Sequence, residues 1–475
     1  MYSQAGVAAL AGVMAALSLP PWGWWPLGSA GIAVLFVVLQ DRSVGGRFRA
    51  GSAFGVGMFT VGLWWMGEFN ALGAGLAVIV EALFVGLAGV ACPPGRGRAL
   101  GLPAALVLAE GLRRVVPFGG LPLAGIALGQ VGGPLAGAAR IGGELLLVAL
   151  VAVAGVALAG LARRHWRAAV VAVVIVAGLA VAGVAAPDGT ADRTVDVAAV
   201  QGGGPRGFRG VDTDAEVVLA AHLAASERLR PPLDLVLWPE DVIDVDRPIA
   251  AAPAAERVGA VARRVGAPVV AGVVEDAGAT RFRNAAVVWS ATGAIVDRYD
   301  KVHRVPFGEY VPARALVDRA ADLSVIPRDA IAGRGPGVVT TSAGQAGVLI
   351  SYEVFFADRA RAATGAGGTI LLVPTNAASF RTSQVPTQEV AAARLRAIES
   401  GRSVVQAAPT GYSAFIDHRG VVRARSTLGR RQVIQRPVTL RSGRTIYHRT
   451  GDWPVLVVAA IALAGGWWGR REPAS

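Results

Sequence analysis

Lysine is almost missing from this chain. Of its 46 basic residues 45 are arginine, and the single lysine stands at position 301. Cysteine also occurs once, at Cys92, which excludes an internal disulfide and any cysteine-based zinc site. The five histidines show no ligand spacing, so no metal or other cofactor is expected. Charge is scarce as well: 17% of the residues are charged and 53% are hydrophobic, where soluble domains carry about a quarter charged residues. A chain so poor in charge does not sit wholly in water. The net charge of +13 invites a nucleic-acid reading, but no recognition motif accompanies it and the early arginines punctuate apolar runs. No nucleic-acid partner is expected.

The scarcity is uneven. From Met1 to about Ala186 long apolar runs dominate, whereas from about Asp192 to Thr450 Asp, Glu and Arg recur at soluble density. One last apolar run precedes the C-terminus. The expected organisation is a membrane region over 1–190, one globular domain over 191–450, and a membrane helix with a short cytoplasmic tail over 451–475. A bilayer takes about 20 apolar residues per helix. Ala168–Ala186 has no charge, and Leu145–Leu161 and Trp453–Trp468 are nearly as clean. Val7–Leu19, Leu27–Leu39, Ala50–Met66, Leu72–Cys92 and Ala99–Leu112 are weaker candidates, giving seven spans before the domain and one after. Arginine collects in cytoplasmic loops. With the N-terminus inside, the inside segments hold Arg42, Arg47 and Arg49, then Arg96 and Arg98, then Arg163, Arg164 and Arg167, and finally Arg470 and Arg471. That numbering puts the globular domain outside the cytoplasm, with Arg113 and Arg114 as the exception. Glu81, Glu110 and Glu144 fall within or near spans, where an acid marks either a function or a buried bond between helices.

Within the domain, short β-branched runs alternate with helical stretches, the pattern of an α/β layered fold. The expected strands are Val195–Val200, Leu233–Leu237, Pro268–Val273, Ala285–Trp289, Gly347–Ile350, Thr369–Val373 and Val404–Ala408, with helices over Asp214–Arg228, Ala254–Val265 and Thr387–Gly401. The Arg-rich stretch Arg423–Arg449 reads as a solvated loop, with attraction to anionic headgroups as the alternative.

Chemistry in such sheets gathers past the carboxyl ends of strands. Three strand ends stand out. Leu233–Glu240 (LDLVLWPE) delivers a carboxylate beside apolar Trp238, an environment that raises a carboxyl pKa and suits a general base. The second segment, Tyr299–Pro312 (YDKVHRVPFGEYVP), carries the lone lysine; arginine cannot lose its proton and spreads its charge, so Lys301 marks a site where a compact ammonium is needed. In the third, Gly347–Glu353 (GVLISYE), an apolar strand ends abruptly in Ser351, as where a nucleophile is held up beside a backbone oxyanion donor. Acid, lysine and hydroxyl in that order make a base, an electrostatic stabiliser and a nucleophile.

These segments resemble the Glu-Lys-Cys constellation of the nitrilase superfamily, and specifically its membrane branch, the apolipoprotein N-acyltransferases. The similarity runs through nearly the whole chain: LSLPPWGWWPL at Leu17–Leu27, AEGLR at Ala109–Arg113, GGLPLAG at Gly119–Gly125, VQG at Val200–Gly202, WPE at Trp238–Glu240, FGEYVP at Phe307–Pro312, PTN at Pro374–Asn376, RLRAIESGR at Arg394–Arg402 and GRTIY at Gly443–Tyr447. The resemblance implies a multi-span α-helical membrane bundle carrying an α-β-β-α sandwich. It implies Glu240 as base, Lys301 as stabiliser of the tetrahedral intermediate, Glu309 as supporting acid, and Tyr352 and Glu353 flanking the nucleophile. It also implies a phospholipid acyl donor, a covalent acyl-enzyme, a diacylglyceryl-cysteine lipoprotein acceptor, and residence in the cytoplasmic membrane with the catalytic domain on the outer face.

Two departures stand out. Ser351 occupies the position where the family carries cysteine, and Cys92 lies at the other end of the fourth span. Either Ser351 attacks and the intermediate is an oxygen ester, or the fold is kept with little or no acylation, or another hydroxyl such as Ser379 serves. The run Thr375–Phe380 (TNAASF) lacks the family's acid and tryptophan, which bears on the acyl pocket. A membrane-tethered amidase or nitrilase for small substrates, and a non-catalytic lipoprotein-binding pseudoenzyme, are the alternative functions.

Overall fold

The computed structural model describes residues 4–207, 213–319 and 326–468. Arg470 and Arg471, and the tail they belong to, lie outside the described residues. The chain divides into two units, Met1–Pro187 with Thr445–Ser475, and Asp188–Arg444.

The first unit is helical. Helices α1 (Gln4–Ala16), α2 (Pro26–Val38), α3 (Val44–Gly62), α4 (Ala71–Ala91), α5 (Arg98–Arg113), α6 (Ala139–Ala162) and α7 (Trp166–Ala185) occur at the seven apolar runs, and an eighth helix, Trp453–Trp468, at the last. Among the described residues, three segments are long and apolar enough to cross a membrane by length and composition: Ala71–Ala91, Ala136–Ala162 and Trp166–Ala185. The others fall short for local reasons. α1 and α2 have 13 residues each, below the roughly 20 that the hydrocarbon core requires, and α5 begins and ends in arginine. α6 is kinked at Gly142–Gly143. Gly143 has φ +62°, and a Cβ there would lie 2.3 Å from the Tyr447 ring, so only glycine fits.

Glu81, Glu110 and Glu144 each lie within 4 Å of an arginine. Arg113 reaches Glu81 at 3.4 Å and Glu110 at 3.0 Å, and donates to the carbonyls of Leu121 and Leu123, both at 2.7 Å. Arg114 lies 3.3 Å from Asp452 and 3.8 Å from Glu144. The two arginines that break the loop-charge pattern are therefore buried counter-ions, not loop charges. Arg47 and Arg98, counted with the inside loops, are likewise buried within helices, Arg98 over the Phe36 ring.

The second unit is an α-β-β-α sandwich. Its elements in chain order are β1 (Thr190–Gln201), α8 (Ala215–Ser226), β2 (Leu235–Leu237), β3 (Ile243–Val245), α9 (Pro253–Val265), β4 (Val269–Asp276), β5 (Arg281–Trp289), β6 (Ile295–Asp300), α10 (Arg314–Val317), β7 (Asp329–Ala330), β8 (Val338–Thr341), β9 (Gly344–Val348), α11 (Ala357–Gly365), β10 (Ile370–Pro374), α12 (Gln384–Ser400), β11 (Val404–Ala407), β12 (Ala414–Ile416), β13 (Val422–Arg425) and β14 (Gln432–Ser442). One sheet runs β14-β1-β2-β4-β5-β6, with β3 on β4 and β7 on β5; the other runs β13-β12-β11-β10-β9-β8. Alternation along β1 shows why two layers form. Val195, Val197 and Ala199 enter the core between the sheets, with Leu237, Val348, Leu372 and Val405. Ala198 and Val200 point the other way, into a core shared with α8 and α9. A strand apolar on both faces must be covered on both. α11 and α12 cover the second sheet.

Arg423–Arg449 is not a solvated loop. It holds β13, β14 and a short helix, Ile446–Thr450, and β14 pairs antiparallel with β1 over ten residue pairs from Thr190↔Ser442 to Gln201↔Gln432. Its arginines hide a strand whose buried side is carried by Val438 and Leu440. β6 lies outside the expected strands, because Asp297, Arg298 and Asp300 mask its apolar pattern.

Candidate active site

Glu240 is set by β2 and its continuation. Trp238 donates its N–H to Val270 at 2.8 Å, and Gly272 donates to the Pro239 carbonyl at 3.0 Å, so the Trp-Pro-Glu run stays laced to β4. Gly272 is required here: a Cβ would stand 2.4 Å from the Glu240 Cα. Lys301 follows β6 directly, with its N–H on the Asn284 carbonyl at 2.9 Å. Glu240 is 3% exposed and Lys301 2%.

These side chains meet. Lys301 Nζ donates to Glu240 Oε1 and to Glu309 Oε1, each at 2.8 Å. Asn284 Nδ2 spans the same two oxygens at 2.9 and 3.0 Å, and Glu309 Oε2 accepts the Val305 N–H at 2.7 Å. Burial pulls the Lys301 pKa down, but the two carboxylates outweigh it and hold the ammonium above the usual lysine value. Burial, reinforced by the charge of Glu309 and opposed by Lys301, raises the Glu240 carboxyl. Two of the three donors of the ammonium are thus engaged by carboxylates, which leaves one for a third acceptor.

Ser351 opens a 3-10 turn, Ser351–Phe355, just past β9. It is buried with φ +50°, a left-handed conformation that a non-glycine residue adopts at a cost of order 1–3 kcal/mol and that clusters at active sites. Glu353 holds this turn. Its Oε2 accepts the Ile350 N–H at 2.9 Å, and its Oε1 accepts from the Tyr299 hydroxyl and the Val302 and His303 N–H groups at 2.8, 2.8 and 3.1 Å. Arg359 lies 3.8 Å away. Glu353 therefore ties the serine turn to the segment that carries Lys301. Tyr352 packs edge-on against Phe356, ring centres 5.0 Å apart.

Ser351 joins the cluster through residues that strand-end reasoning missed. Thr375 Oγ1 lies 3.3 Å from Ser351 Oγ and 2.7 Å from Glu389 Oε1. Glu389 is close enough to Glu240 and Lys301 for both charges to act on its carboxyl. Asp241, at φ +55°, accepts from Asn376 Nδ2 at 3.0 Å. Burial and the charge of Glu240 push its carboxyl up to about 8. Asn284 follows Arg281 and Arg283 on β5, and Glu389 shares α12 with Thr387, Gln388, Arg394 and Arg396, so no local pattern singles out either residue. Ser379 lies half-buried on the turn after β10.

A carboxylate-clamped lysine at the strand ends of an α-β-β-α sandwich places the second unit among the carbon-nitrogen hydrolases, and the model of the Carbon-nitrogen hydrolase family matches residues 196–447. A Saccharomyces cerevisiae member of branch 10 of the nitrilase superfamily superimposes with a TM-score of 0.42 at 20% identity, over 52% of this chain and 91% of its own. Residues 11–157 match the Apolipoprotein N-acyltransferase N-terminal domain. The chain is 32% identical to the apolipoprotein N-acyltransferase of Mycolicibacterium smegmatis, over 94% of this chain and 82% of the relative. It is 26% identical to that of Vibrio vulnificus, over 98% and 97%. The chain belongs to the apolipoprotein N-acyltransferase family, a family of integral membrane acyltransferases.

Proposed function

We propose that this chain transfers an acyl chain from a phospholipid, through an ester on Ser351, to the N-terminal amine of a diacylglyceryl-cysteine lipoprotein. The observation that carries the reading is the buried Glu240–Lys301–Glu309 cluster. Glu240 takes the proton of Ser351 as its oxygen attacks the ester carbonyl carbon of the phospholipid. Lys301, with a backbone N–H near Tyr352, stabilises the oxyanion; as it collapses, the ester C–O bond breaks and Glu240 returns the proton to the lysophospholipid oxygen, which leaves as a hydroxyl. The lipoprotein amine then attacks the acyl carbonyl carbon while Glu240 takes its proton and passes it to Ser351 Oγ, which departs as the hydroxyl when the amide forms. Burial favours this role, because a carboxylate kept from water has a stronger pull on protons. The domain bounds 1–190, 191–450 and 451–475, the cytoplasmic membrane and the outward-facing sandwich belong to the same proposal: both substrates reside in the outer leaflet.

The test uses the full chain in detergent with phospholipid and a diacylated lipopeptide, and reads product masses. Triacylated peptide from the wild type and none from Ser351→Ala supports the scheme. Undiminished turnover in Ser351→Ala removes Ser351 as nucleophile.

A further inference from the structure

A hydroxyl is far harder to ionise than a thiol, and the surroundings of Ser351 contain a polar chain that the scheme above leaves unused. Thr375, fully buried, bridges Ser351 Oγ and Glu389 Oε1. Glu389 lies in the middle of α12, 3% exposed, beside apolar Val390. Its second oxygen, Oε2, has no hydrogen-bond partner among the described residues. An acid in such a place is costly to fold. Burial pushes its carboxyl up to about 7, with the Thr375 hydrogen bond opposing, the charge of Glu240 adding and that of Lys301 opposing. Arg396 and Glu399 on the same helix pair with each other at 3.1 Å, as do Arg359 and Glu353 at 3.8 Å on the elements packed against it. Near neutrality a large share of Glu389 is uncharged.

A threonine hydroxyl has one proton to give. Against an ionised Glu389 that proton goes to the carboxylate. Against a neutral Glu389 the acid donates to Thr375, and the threonine proton is left for Ser351 Oγ.

We propose that Thr375, oriented by the neutral form of Glu389, donates a hydrogen bond to Ser351 Oγ and so makes this hydroxyl easier to ionise. The proposal rests on the reading of Ser351 as nucleophile. In the step itself the Ser351 O–H bond breaks and its proton goes to Glu240. Its electron pair forms the bond to the acyl carbonyl carbon, whose π pair moves onto the carbonyl oxygen. Thr375 and Glu389 keep their protons, so both are positioning residues. Because a thiol ionises without this help, the contribution is specific to the serine found here.

The experiment follows acyl-enzyme formation by intact mass, using the full chain in mixed micelles of a dioleoyl phospholipid, in two backgrounds: the natural Ser351 and Ser351→Cys. With Ser351, Thr375→Val slows acylation roughly ten- to hundredfold, the worth of a hydrogen bond to a charged group, while Thr375→Ser restores it. Glu389→Leu behaves like Thr375→Val; Glu389→Gln, which stays neutral and can donate, keeps the rate. With Ser351→Cys, Thr375→Val changes the rate by less than about threefold, because the thiolate draws little on the bond. Equal losses in both backgrounds, or none with Ser351, overturn the proposal. An acyl adduct persisting in Ser351→Ala removes the nucleophile assignment itself, a separate failure.

Discussion

Replacing Glu353 by alanine tests whether that acid scaffolds the site. The substitution deletes the acceptor of four hydrogen bonds of 2.8–3.1 Å, three from backbone N–H groups and one from Tyr299. Each bond to a charged acceptor is worth about 1.5–3 kcal/mol, an upper total of about 6–12 kcal/mol. Two effects reduce it. Water entering the vacated space satisfies some donors, and Arg359 keeps Tyr299 at 2.7 Å and the Gly335 carbonyl at 3.0 Å. The expected loss is about 3–5 kcal/mol, as for breaking other buried ionic contacts. At roughly 2–4 °C per kcal/mol for a domain of 150–250 residues, Tm falls by about 6–20 °C. Differential scanning fluorimetry of the detergent-solubilised protein measures it, alongside acylation of Ser351. The serine turn and the Lys301 segment lose their common tie, so acylation falls with stability. A Tm within about 2 °C of wild type, with acylation unchanged, would falsify the scaffold role.

Lys301→Arg keeps the charge but offers a planar fork where a compact ammonium sits between two carboxylates, and acyl transfer drops by roughly a hundredfold or more; near-normal turnover in lipopeptide assays contradicts the assignment. Asp241 has a folded-state carboxyl pKa of about 8 against an ordinary 3.8. The folded state binds that proton more tightly, so the stability it contributes is complete below about pH 4 and lost as pH rises to about 8. Tm of the wild type therefore declines across that window relative to Asp241→Asn, and parallel curves count against the shift. Gly272→Ala puts a methyl 2.4 Å from the Glu240 Cα and lowers acylation at least about tenfold by displacing the base; an unaffected rate means the close approach is dispensable. Arg113→Met strands two buried acids, Glu81 and Glu110, at a cost of about 3–5 kcal/mol. The yield of folded detergent-extracted protein falls, and Glu81→Gln with Glu110→Gln restores it; yield that stays high in Arg113→Met speaks against the pairing.

Much of the architecture was legible because the relevant signals are local. Apolar runs mark helices, and the charge density changes where the helical unit gives way to the sandwich. Alternation along Val195–Val200 and the continuous apolar run Leu235–Leu237 mark strands covered on both faces. The lone lysine in an arginine-rich chain, and the acid and hydroxyl at strand ends, mark Glu240, Lys301 and Ser351 as candidates from the sequence. β6 escaped because three of its six residues are charged, and β14 because polar residues and Pro437 interrupt it and its partner β1 lies far away in the chain. Arg113 and Arg114 escaped because a loop-charge rule reads sidedness and cannot see counter-ions on other helices.

The amino-acid sequence alone determined which segments are apolar, where strands break off and which chemical groups stand at the breaks. These are properties of neighbours along the chain. Only the tertiary structure decided which charges share a buried volume: Asn284 bridging two carboxylates, Glu353 joining the serine turn to the lysine segment, and Thr375 linking Ser351 to Glu389. Desolvation and hydrogen-bond partnership arise when distant segments are packed together, so no local pattern contains them.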